Sequence, residues 1–150
     1  MHFRALRLSI ALVVLTLTLY STPKSTAQYR GKFFGSYQIS NVEESGDQVQ
    51  LTIKVILQNY SGQEVQGGGV VLYDTAPVHS ALGAFSGINS LPANGKVALT
   101  QEFTVSKTLY AAWKQGEKPV MEMLLPSPDG SSRLERIDLA PAPSPAVPTE

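Results

Sequence analysis

The chain has 150 residues and no cysteine. That absence excludes thiol nucleophiles, cysteine metal ligands and disulfide staples, so packing and hydrogen bonds alone must hold the folded part. A lipid-anchored export signal is excluded with them, because its cut site needs a cysteine. Histidine is scarce, with His2 and His79 the full set. Neither sign of charge dominates, since 12 basic residues meet 12 acidic ones, and so nothing points to nucleic acid or to an anionic membrane surface. Long apolar runs are lacking as well. The longest covers 13 residues, 8–20, short of the roughly 20 that a membrane-spanning helix requires.

What that run does have is the setting of an export signal. Arg4 and Arg7 precede it, Pro23 and Lys24 end it, and Ser25-Thr26-Ala27 places small side chains three and one positions before a cut. Cleavage after Ala27 is expected, with no stable membrane insertion afterwards. The remaining 123 residues carry nine basic against twelve acidic side chains, about −3, and His79 as their one histidine. We expect the mature protein in the periplasm or outside the cell, and a cysteine-free exported chain suits a bacterial envelope. Its length suits one domain over 28–139. Beyond it, Pro141, Pro143, Pro145 and Pro148 alternate with small residues, the composition of an extended, disordered tail over 140–150.

Alternation with a period of two marks the clearest strands. Val49, Leu51, Ile53, Val55 and Leu57 alternate with polar residues, interrupted only by Ile56, and Val97, Leu99, Phe103 and Val105 repeat the pattern. Weaker strands are predicted at 34–42, 69–73, 120–125 and 134–139. Turn-forming residues at 45–47, 60–62, 94–95 and 128–130 separate them. Ser106 as a cap, Leu109 and Trp113 four apart, and Gly116 as a stop predict a short helix over 106–115 in a strand connection. Six or seven short strands with no strand-helix alternation predict an all-β fold, an antiparallel immunoglobulin-like or fibronectin-III-like sandwich.

Three segments then combine. Asn59-Tyr60-Ser61-Gly62, Val70-Val71-Leu72-Tyr73-Asp74 and Leu91-Pro92-Ala93-Asn94-Gly95 leading to Phe103 resemble the FxLYD type of bacterial β-sandwich module over residues 49–105. Val70 stands where that family has Phe. The resemblance implies a non-catalytic envelope or surface module and brings no catalytic residues with it.

Residue by residue, structural roles outweigh chemical ones. His79 beside Ser80 lacks the Gly-x-Ser-x-Gly turn of a hydrolase nucleophile and falls in a stretch of small residues, 77–87, that reads as a solvated loop. Glu43 and Glu44 are adjacent, so in a strand they point to opposite faces rather than converging on one bond. Asp129 before Gly130 reads as a turn former without the spaced ligands of a calcium loop. Asn59-Tyr60-Ser61 matches a glycosylation sequon by chance. Gly67-Gly68-Gly69 lacks the Lys-Ser/Thr of a phosphate loop; inside a strand it signals a bulge, a close backbone approach or contact with a ligand. If Gly68 sits on an open edge, valine there should be tolerated.

Tyr37, Tyr60, Tyr73, Tyr110 and Trp113 supply aromatic surface, and Tyr73, Tyr110 and Trp113 are the candidate ligand-contact residues. No catalytic residue, cofactor or metal is expected. The leading expectation is an exported module that binds or scaffolds another envelope or surface protein; the alternative is a small carbohydrate-binding module using exposed aromatics on a glycan, and the third is an enzyme of unknown class.

Overall fold

The computed structural model describes residues 32–75 and 79–143. The export signal expected over 1–27, Pro77 and residues 144–150 of the expected tail lie outside the described residues. Eight strands and one helix follow in order: β1 Phe33–Ser45, β2 Gln48–Asn59, β3 Val65–Asp74, β4 Ser80–Ala84, β5 Ile88–Leu91, β6 Lys96–Ser106, α1 Lys107–Lys114, β7 Val120–Pro126 and β8 Ser132–Pro141.

The period of two in β2 decides where the core lies. Val49, Leu51, Ile53, Val55 and Leu57 are fully buried, whereas Ile56, the residue that broke the alternation, faces outward and is 43% exposed. Each of those buried side chains contributes roughly 1.5–3 kcal/mol by leaving water. β1 and β6 flank β2 with antiparallel registers, and Leu99, Phe103 and Val105 bring the inward face of β6 into the same core.

The strands form one mixed sheet, ordered β4-β3-β7-β8-β1-β2-β6, with β5 paired to β3. An all-β chain with one short helix was expected, and the antiparallel pairing is corrected at one place. β8 returns beside β1 in parallel, Phe33 opposite Ile137 and Tyr37 opposite Pro141. The sheet curls until it is nearly barrel-shaped. Across the remaining seam the Phe85 and Phe103 rings meet edge to face at 5.1 Å, but among the described residues β6 pairs with β2 alone.

Two further differences have local causes. The stretch expected to be a loop, 77–87, contains β4, and β5 follows it; their Ser, Ala, Gly and Asn residues conceal strands that exist because β3 offers them an edge. At the C-terminus β8 reaches Pro141, and the Ala142 N–H donates to the Tyr37 carbonyl at 2.8 Å, so the first residues assigned to the tail belong to the sheet.

Helix α1 matches its prediction. The Leu109 N–H donates to the Ser106 hydroxyl at 3.1 Å, and the helix ends at Lys114, with Gln115 as its cap and then Gly116, whose φ of +103° suits a residue without Cβ. Leu109 and Trp113 are buried against the core.

Candidate functional site

The three candidate contact residues do not converge. Trp113 is 8% exposed and belongs to the core, so its ring is not offered to a ligand. Tyr110 is half-buried beneath the Lys114 ammonium, 4.9 Å from its ring centroid. Tyr37 packs half-buried against the core, and Tyr60 follows the opposite end of β2 from the helix, about 36 Å away at the rise of a strand. Replacing Trp113 by alanine is therefore expected to act on stability, lowering it by roughly 3–5 kcal/mol in a denaturant titration.

Tyr73 has acquired partners that its sequence context did not disclose. On the outer face of β3 its ring stacks on His79, centroids 4.2 Å apart and planes within 8°. His79 Nε2 lies 3.8 Å from Glu122 Oε1 on β7, and the same carboxylate acts on the Tyr73 phenol. Burial first, then the charge and hydrogen bond of Glu122, push the Tyr73 phenol above its ordinary pKa, so it stays protonated. Phenol, imidazole and carboxylate thus pin the β3–β4 connection to β7. Proximity in sequence suggested Ser80 as a partner for His79; the fold supplies Tyr73 and Glu122 instead, on strands that only topology brings together.

The remaining polar candidates keep structural roles. Glu43 and Glu44 pair with Gln50 and Val49 beyond a register shift in β1, and Glu44 reaches Lys107 at 3.3 Å. Asp129 accepts bonds from the Ser131 N–H at 3.0 Å and hydroxyl at 2.6 Å, which hold its carboxyl below the usual range and close the β7–β8 turn. Asn59, the sequon residue, is fully buried. Its Nδ2 donates to the Gln63, Leu91 and Pro92 carbonyls, leaving no room for a glycan. Among the described residues no group of three His, Asp or Glu side chains is placed to hold a metal ion, and no helix is long and apolar enough to cross a membrane.

Among the described residues, two features are suited to meet another molecule. One is the second edge of β6, on the side of the seam with β4, which takes part in no ladder among the described residues. The other is a groove of about 370 Å³ at the end of the sheet where β2 stops and β7 turns into β8, lined by Lys32, Glu64, Gln66, Leu125, Pro126 and Arg133 among others. It lies next to the glycine run, with Val65 and Gln66 in its lining. Gly67 adopts φ +68°, so Val65 and Gly68 both face inward, and β3 passes there from pairing β5 to pairing β7. The β3–β7 ladder ends at Gly69 and Leu124, yet β7 continues along β8 to Pro126. The groove is bordered there by the start of β3 and the end of β7, together with Lys32 and Arg133.

No family model, curated protein or solved structure matches the chain.

Proposed function

We propose that the chain is a non-catalytic, exported β module that binds another envelope or surface protein by accepting an extended segment on the open edge of β6. One observation carries this reading: β6 spans Lys96–Ser106 and, among the described residues, pairs with β2 alone. Its register with β2 runs unbroken from Gln48 to Gln58, without a bulge, and it contains no proline. Solvent-facing edges are usually blunted by such devices, because unpaired backbone N–H and C=O groups recruit further strands. Next to this edge the outer face, otherwise polar, carries one apolar pair. Exposed Ala98 lies opposite Ile56 in the register, a site for a side chain of the incoming strand. Main-chain bonds would then give affinity and the Ile56–Ala98 patch specificity. The resemblance of residues 49–105 to FxLYD-type envelope modules supports the same reading.

Capture from an envelope extract, comparing wild type with Ile56→Lys, tests it. Ile56 is outside the core, so the variant should melt within about 0.5 kcal/mol of wild type, while recovery of the partner falls about tenfold or more, as on loss of a central anchor. A partner recovered equally by both proteins, or no partner for wild type, overturns the proposal.

A further inference from the structure

The groove beside the glycine kink has walls of opposite charge. On one side Arg133 Nη2 and Lys32 Nζ converge on Glu135 Oε1 at 3.0 and 3.2 Å. Glu135 neutralises one of the two cations, so this wall keeps one net positive charge, and the guanidinium still has N–H donors beyond the one bonded to Glu135. On the other side Glu64 is exposed, and the Ser90 hydroxyl donates to its Oε1 at 2.6 Å. That bond, and a second from Gln66, hold the Glu64 carboxyl below its ordinary pKa, so it remains an anion near neutral pH. Between the walls lie the apolar surfaces of Leu125 and Pro126 and the amide of Gln66.

We infer that this groove binds a small zwitterion, an amino acid or dipeptide, with its ammonium at Glu64 and its carboxylate at Arg133 and Lys32. Two opposite charges in one groove discriminate by sign and spacing at once: a simple anion satisfies only the cationic wall and meets Glu64 unfavourably, and a simple cation does the reverse. The volume lies at the lower end of the roughly 300–1,000 Å³ typical of small-molecule sites. Val65 and Gln66 of β3 and Leu125 and Pro126 of β7 line it beyond the last paired residues of the two strands, Gly69 and Leu124, which favours a ligand that itself carries amide groups. The site is separate from the β6 edge, and it stands whether or not that edge takes a strand.

Amide chemical shifts of the isotope-labelled protein, titrated with glycylglycine, test the assignment. Saturable shifts are expected at Gln66 and Leu125. N-acetylglycylglycine and glycylglycinamide, each lacking one charge, should bind about fivefold more weakly, the effect of a partly exposed charge pair. Glu64→Gln should bind glycylglycine and its N-acetyl derivative equally, and Arg133→Gln should do the same for glycylglycine and its amide, since each removes the partner of one ligand charge. Both side chains are exposed, and unchanged spectra away from the groove will show that the fold is intact. Non-saturable shifts, acetate binding as tightly as glycylglycine, or the same analogue preferences in the variants as in wild type would each overturn the inference.

Discussion

Gly68→Val is expected to destabilise the protein by roughly 1–3 kcal/mol, and Gly69→Val, one residue on, to be close to neutral. The two glycines sit in the same strand and differ in what surrounds them. A Cβ on Gly68 would lie 2.9 Å from Met123 Cε, 2.9 Å from Val65 Cγ1 and 3.2 Å from the Leu124 carbonyl oxygen. The first two contacts are side chains that can give way, but the third is backbone held in the β3–β7 ladder, so the strain cannot be relieved by rotamers alone. A Cβ on Gly69 meets nothing within 4 Å, and a β-branched residue suits a strand there. For a domain of this size, 1 kcal/mol moves the melting temperature by roughly 4 °C, well within reach of thermal unfolding followed by circular dichroism. Equal melting temperatures for the two variants would show that Gly68 is not packed as described. The open edge on which valine would have been tolerated is therefore not where Gly68 lies: its position is inward, against the core.

That pair of glycines also marks how far residue pattern alone reaches. Periodicity found β2 and β6 because half of each strand is buried and half wet, and solvation writes a period of two directly into the sequence. It found α1 for a related reason, since Ser106, the Leu109–Trp113 spacing and Gly116 are all local. β4 and β5 escaped it. Their Ala, Gly and Ser side chains have little preference of their own, and these residues are strands because β3 lends them an edge. The parallel β1–β8 pair escaped for the same reason, being a contact between the two ends of the domain. At the candidate sites the division is similar. Tyr73 was legible as a useful aromatic, whereas its partners His79 and Glu122 come from a connection and a strand that only the register brings together. The run 67–69 was legible as a break in β3, but the groove beside it depends on β7 continuing past its last pair with β3.

The larger loss is expected at Asn59. Asn59→Ala should lower stability by roughly 3–5 kcal/mol, because several buried polar groups lose their partner together. Its Nδ2 lies 2.7 Å from the Gln63 carbonyl, 3.1 Å from that of Pro92 and 3.3 Å from that of Leu91. Its Oδ1 accepts from the Ser61 N–H at 2.9 Å and from the Ser61 hydroxyl at 2.7 Å. One side chain thereby joins the end of β2, the loop that leads to β3 and the end of β5, and the Asn59 N–H adds a bond to the Gly95 carbonyl at 3.0 Å. Asn59→Asp separates the two halves of the amide. The carboxylate retains the acceptor for Ser61 but turns an oxygen toward three carbonyls, so the folded state disfavours its charge and raises its pKa above the unfolded value. The sign of the pH dependence follows: the variant is most stable below the unfolded pKa, where the carboxyl is neutral in both states and can donate one bond, and it loses stability as pH rises through the folded pKa. Denaturant titrations of wild type, Asn59→Ala and Asn59→Asp across the acid range test this, with Asn59→Asp falling relative to Asn59→Ala as pH increases. A pH-independent difference between the two variants would mean that the side chain at position 59 does not face the carbonyls of the β2–β3 and β5–β6 connections, and the junction would then have to be held by backbone alone.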